Sequence, residues 1–310
     1  MLYYCKIREG NFGDDLNPWL WSRLAPEFCD EQNPALLVGI GTIFTCRIPE
    51  EPLKMVFGSG CWGRGPLPEL DERWKIYCVR GPLTAARLKL DPALALVDPG
   101  ILVRRFARVA TTRKYRVSFM PHQSSMSFAN WDELCRQVGF HCIDPQWPVD
   151  RVLQDLQETN LLLSEAMHGA IAADALRVPW IPLRLYSRFD TFKWQDWTRS
   201  IGVPWKLTDV APIYLNLPKY SKRVGYFFKK GFANLGLGRE GWKRHGVWRS
   251  TPAQIQRSLE VLSKIPENQP AFLSEDKRLD ELEERLLEKL SQLRADWAKL
   301  LPAESKSLGA

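Results

Sequence analysis

Leu161–Ala170 reads LLLSEAMHGA. Its opening run of leucine is the pattern of a strand buried on both faces. From Ala166 to about Arg177 the chain is alanine-rich and spaced as a helix, with Gly169 permitting close packing. A buried strand that feeds directly into a helix predicts a parallel sheet with crossover helices. Ser164, Glu165 and His168 fall at the junction, at the sheet edge where α/β proteins gather their ligands. A helix N-terminus disfavours an imidazolium at His168, whereas Glu165 or a bound anion favours it. The sequence leaves that balance open.

The same alternation extends in both directions. Tyr115–Met120, His141–Ile143 and Trp180–Leu185 read as further strands, and Phe128–Val138, Val149–Glu158 and Thr191–Ser200 as helices. Upstream, Leu2–Ile7, Ala35–Ile40, Met55–Phe57 and Lys75–Val79 read as strands, with helices over Asp14–Leu24 and Pro82–Leu90. The basic, aperiodic stretch Arg104–Lys114 is the expected boundary. It divides an N-terminal α/β unit, 1–110, from a second one, 111–213, with a helical extension at 214–310. In that extension, apolar residues from Leu279 to Leu300 recur about every 3.5 positions, as in a helix packed on its own chain or paired with a second copy. Ala303–Ala310 reads as a frayed tail.

With 310 residues, the chain sits near the upper limit for one core, and two compact units are expected. Hydrophobic residues make up 45% and charged residues 25%, which excludes disordered, collagen-like and purely coiled-coil chains. No apolar run reaches the roughly 18 residues of a spanning helix. The start, MLYYCKIREGNFGDD, lacks the order of a signal peptide, so a cytoplasmic location is expected. The seven cysteines stand singly, at 5, 29, 46, 61, 78, 135 and 142, which predicts neither a zinc site nor a disulfide framework.

Net charge is +7 and local. Pro218–Ser250 holds nine Lys/Arg and one acid; removing them from the 43 basic and 36 acidic residues of the chain leaves 34 and 35. One basic patch interleaved with aromatics, beside a neutral remainder, points to a local anionic partner and away from nucleic acid. An anionic membrane surface held by 219–249 is the expected partner, through basic residues and interfacial aromatics. It would hold the protein peripherally on the inner face of the cytoplasmic membrane.

Several motifs sit at strand-to-helix junctions. Gly10–Asp15, GNFGDD, opens the first helix. Its Asn11 and Gly13 let the backbone approach an anion, with Asp14 a candidate catalytic carboxylate, or else Asp14 or Asp15 simply caps the helix. Gly41, in GIGT, and Gly58-Ser59, in GSG, end strands and are candidate cleft loops. Arg80 precedes a helix, where its planar fork suits a carboxylate or phosphate, though a surface salt bridge fits the same position. His122 ends a strand of the second unit, and Lys193 opens a helix there.

Taken in order, GNFGDD (10–15), VRGPLT (79–84), Asp98-Pro99-Gly100, SEAMHG (164–169) and Val178-Pro179 resemble the polysaccharide pyruvyl transferase family, over about two thirds of the chain. The resemblance implies an α/β fold with two Rossmann-like domains facing a cleft, as in GT-B glycosyltransferases. It implies transfer of pyruvate from phosphoenolpyruvate to two hydroxyls of a sugar, on an acceptor expected to be a lipid-linked oligosaccharide. Phosphoenolpyruvate is the co-substrate, and the scheme calls for no other cofactor and no metal. His168 is the implied acid, with Ser164, Glu165, His122, Arg80 and Lys193 around the donor. Family members often carry an arginine two residues before the motif histidine. This chain has Ala166 there, which leaves the anion to Arg80 or Lys193. A nucleotide-sugar glycosyltransferase of the same fold and a non-catalytic membrane-associated assembly protein are the alternatives.

Overall fold

The computed structural model of the chain describes residues 1–30, 35–45, 47–107, 112–187, 189–215 and 249–300. Every named strand pairs in parallel. The first sheet holds β1 (Leu2–Tyr3), β2 (Ala35–Val38), β3 (Leu53–Phe57) and β4 (Trp74–Cys78), in chain order. The second holds β5 (Ser118–Met120), β6 (His141–Cys142), β7 (Leu162–Ser164), β8 (Trp180–Arg184) and β9 (Thr208–Asp209), in the order β6-β5-β7-β8-β9. That second order reverses between β5 and β7, whose ends Met120 and Ser164 are paired. Such a reversal opens a crevice at the carboxyl ends of the two strands. Among the described residues, the first sheet runs in chain order without such a reversal.

Crossover helices α1 (Phe12–Leu24), α2 (Pro82–Arg87), α3 (Trp131–Gln137), α4 (Val149–Gln157), α5 (Met167–Ala175) and α6 (Thr191–Ser200) cover the sheets. The strands are shorter than expected where pairing partners end. β1 stops at Tyr3, opposite Val38, the last residue of β2. Pro99–Arg105 is a 3-10 helix with Asp98 as its side-chain cap, and its apolar residues are buried. It packs on α5, so one continuous core runs from α1 through this helix into α5.

Among the described residues after 213, two helices pack back on the sheets. α7 (Pro252–Asn268) starts at a Thr251–Gln254 capping box and buries Leu259, Leu262 and Ile265 in the core of the second sheet. α8 (Asp276–Leu300) returns to the first sheet, where Trp297 meets Phe28 at 4.5 Å and Asp296 accepts from the Tyr77 hydroxyl at 3.0 Å. Arg104 and Arg105 pair with Asp280 and Glu283 of the same helix. The apolar stripe of α8 is therefore spent within the chain. Among the described residues no helix is long and apolar enough to cross a membrane. The basic stretch expected to dock on one lies, apart from Arg249, outside the described residues, as does the tail from 301.

Candidate active site

The carboxyl ends of both sheets open into one cavity of about 680 Å³. Asn11, Gly13, Asp14 and Gly41 line it from the first unit, and His122, His168 and Lys193 from the second. The N-termini of α1 and α5 meet there. Gly13 and His168 each occupy the second position of their helix. A Cβ on Gly13 would stand 2.2 Å from His168 Nδ1, so only glycine lets the imidazole rest on the first turn of α1. Two helix N-termini then bring partial positive charge to one space, which suits an anion.

His168 is held from behind. Its Nε2 lies 3.4 Å from Asp98 Oδ2, and both atoms are buried and otherwise unpartnered. Asp98 Oδ1 accepts from the Gly100 amide at 2.9 Å, which fixes the carboxylate. Enclosure of Nε2 leaves Nδ1 as the ring nitrogen that faces the cavity. Neither Asp14 nor Asp15 stands at the helix cap, which is Asn11. Asp15 accepts from the Asn11 amide at 2.9 Å, while Asp14 accepts from Asn11 Nδ2 at 2.6 Å and faces the cavity. Burial pushes the Asp14 carboxyl up, against the pull of Asn11, His168 and Lys193. Burial, with the nearby Arg80 charge, brings the Lys193 ammonium down to about 8, partly offset by Asp190 and Asp14.

Other expected site residues stand behind the cavity. Arg80 is fully buried. It donates through Nε to Asp196 at 3.2 Å and through Nη1 to Thr42 at 3.0 Å. Asp196, from α6, also accepts from the amides of Leu83 and Thr84 at the start of α2, both at 2.9 Å. The Arg80 fork is therefore occupied in a joint between the units and does not open on the cavity. Glu165 is likewise engaged, accepting from the His122 amide at 3.0 Å and from Ser125 at 2.6 Å. Burial pushes its carboxyl up despite those bonds. Ser164 turns its hydroxyl to the Ala166 carbonyl at 2.7 Å, Ser59 bonds the Gly39 carbonyl, and Gly58, at φ +79°, lies against Pro99. His122 Nδ1 accepts from the Ser124 amide at 3.2 Å.

Sequence reading missed Asp98 as a site residue. The signal was its place in Asp98-Pro99-Gly100, but only the fold brings it beside His168. Among the described residues no group of three His, Cys, Asp or Glu side chains is placed to hold a metal ion.

No family model matches the chain, and no solved structure matches it. The succinoglycan biosynthesis protein ExoV of Rhizobium meliloti (strain 1021) is 40% identical over 208 residues. That match spans 66% of this chain and 66% of the relative, a little under two thirds of either. With an α/β architecture and a cavity at the edges of its sheets, the chain's similarity to this relative supports an exopolysaccharide biosynthesis family.

Proposed function

We propose that the protein transfers pyruvate from phosphoenolpyruvate to two hydroxyls of a sugar in an exopolysaccharide repeat, closing a cyclic ketal and releasing phosphate. The observation that carries this reading is the meeting of His168, Asp14 and Lys193 at two facing helix N-termini in one cavity. The similarity to a protein named for succinoglycan biosynthesis supports a polysaccharide acceptor. In this reading the two sheets act as the facing halves of a GT-B-like enzyme.

The donor is an anion. Lys193 and the amides at the starts of α1 and α5 hold its phosphate and carboxylate. An imidazolium at His168 gives its proton to the methylene carbon of the enol, and C2 becomes electrophilic. A sugar hydroxyl adds to C2 and loses its proton to Asp14, whose raised carboxyl is the better base for it. Phosphate leaves, and the second hydroxyl adds to C2 to close the ring. Two bonds from C2 to sugar oxygens and one new C–H bond replace the bond to phosphate oxygen, the π bond of the enol and the two sugar O–H bonds, whose second proton is taken by phosphate. One proton stays in the new methyl group and one departs with phosphate. Asp98 touches no reacting atom; it keeps His168 aimed at the cavity. A lipid-linked acceptor would bring the reaction to a membrane surface, where the basic charge of 219–249 would assist docking.

The test is phosphate release from phosphoenolpyruvate by the purified protein, with and without lipid-linked oligosaccharides from an exopolysaccharide-producing bacterium. Acceptor-dependent release supports the reading. Release of nucleotide from a nucleotide sugar, with phosphoenolpyruvate untouched, overturns it.

A further inference from the structure

A phosphoenolpyruvate molecule leaves much of the cavity unused. Its volume of about 680 Å³ is that of sites that enclose far larger ligands, whose pockets run to about 300–1,000 Å³. The remaining wall comes from the first unit and has a different character. Tyr3, Tyr4, Arg47, Trp62 and Arg64 line it. Trp62 is 45% exposed, whereas the other tryptophans among the described residues are buried or half-buried. Arg47 and Arg64 are exposed, and no carboxylate among the described residues lies within salt-bridge distance of either. An exposed aromatic face beside two guanidinium groups without carboxylate partners is a receptor in search of a ring and an anion.

The loop that carries two of these groups is fixed in place. A Cβ on Gly63 would stand 2.7 Å from Phe192 Cβ, so the glycine lets the loop close against α6. Arg87 donates to the Gly65 carbonyl at 2.7 Å and ties the other end to α2. The Trp62 ring lies 5.4 Å from Lys193 Nζ, a cation–π distance that joins this wall to the proposed reaction centre.

We propose that Trp62, Arg47 and Arg64 form an acceptor subsite for a glycosyl diphosphate, with a sugar ring on Trp62 and the diphosphate on the two arginines. The assignment rests on reading the cavity as a transfer site, and it deepens that reading by naming what sits opposite the donor. A glycosyl diphosphate reaches a cell in two forms, on a lipid or on a nucleotide, and both carry the chemistry this wall would recognise.

The experiment is a calorimetric titration of the full chain with four probes. They are glucosyl diphosphate on a short prenyl chain in detergent micelles, UDP-glucose, inorganic diphosphate and phosphoenolpyruvate. Arg47→Ala/Arg64→Ala should weaken every diphosphate probe by about tenfold or more, the loss of hydrogen bonds to a charged group. Trp62→Ala should weaken the two sugar-bearing probes and spare inorganic diphosphate, and Trp62→Phe should restore most of that loss. Phosphoenolpyruvate should bind the wild type and the arginine variant alike, which separates this subsite from the donor site. Tighter binding of the prenyl or of the nucleotide probe identifies the carrier, and either supports the subsite. Diphosphate and sugar affinities that do not change in these variants, or that fall only in step with phosphoenolpyruvate, overturn it. If phosphoenolpyruvate fails to bind any form while the sugar diphosphates depend on Trp62 and the arginines, the donor reading fails and the subsite stands.

Discussion

Arg80–Asp196 and His168–Asp98 are both cation–carboxylate pairs built where the two sheets meet, yet they are finished differently. In the first, Asp196 receives Arg80, two helix amides and the Thr84 hydroxyl, and both side chains are fully buried. In the second, the nitrogen and oxygen face each other at 3.4 Å with no further partner, and the other edge of the imidazole meets the cavity. A satisfied pair fixes structure. A pair left partly unsatisfied at a cavity still has hydrogen-bonding capacity to offer. A strand-to-helix junction is therefore insufficient to identify a site; what matters is whether the group's hydrogen-bonding capacity is already used.

Replacing His168 with alanine should break the comparison most strongly. Loss of a general acid lowers turnover by about 10²–10⁴-fold, and the melting temperature should stay near that of the wild type. Turnover within reach of the wild type would remove His168 from the chemistry. At the other pair the effects should be exchanged. Arg80→Ala leaves Asp196 buried without its cation, which costs about 3–5 kcal/mol of stability. Denaturant titration measures this, and the Arg80→Met/Asp196→Leu double variant should recover part of it. A folded Arg80→Ala protein with a stability like the wild type would show that the joint does not depend on the ion pair.

Asp98→Asn sharpens the contrast, because the shape is kept and the charge is lost. Its expected effect is a fall in kcat of about 10–100-fold, the worth of a hydrogen bond to a charged group. KM for phosphoenolpyruvate should hold, since Asp98 does not touch the donor. Equal changes in both constants would point to a merely structural role. Lys193→Met should have the smallest kinetic effect, weakening donor affinity by about tenfold. Lys193 titrates near 8 in the folded chain, below the ordinary lysine value of 10.5. Its charged form is thus disfavoured by folding, and the penalty is fully present below pH 8 and fades as pH rises toward 10.5. Lys193→Met should accordingly raise stability at neutral pH while it lowers binding. Wild-type donor affinity should decline as pH passes upward through about 8, a decline that calorimetry should find absent in the variant.

The sequence made the sheets legible because their signals are local. The leucine run at 161–163 and the alanine helix after it specify β7 and α5 without reference to other residues. The 3.5-residue spacing from Leu279 correctly marked a packed helix, but its partner, the Phe28 and Tyr77 face of the first sheet, lies more than 200 residues away. Helix α7 was missed although Thr251 and Gln254 spell a capping box and Ile255, Leu259, Leu262 and Ile265 follow at helical spacing. At the site, His168, Asp14 and Lys193 were visible as junction residues. Arg80 looked equivalent to Lys193, and only Asp196, on a helix 116 residues later, distinguishes them. Asp98 was visible as part of a motif, but its role was not, for the same reason: its partner His168 is chosen by packing.

The central claim is that a proton from this site reaches the methylene carbon of phosphoenolpyruvate. Running the reaction in heavy water and recording the proton spectrum of the product tests it most directly. Wild-type enzyme should give a ketal whose methyl group carries one deuterium, and His168→Ala should give almost no product. A product methyl without solvent deuterium, or a glycosylated product with phosphoenolpyruvate unchanged, would contradict the account.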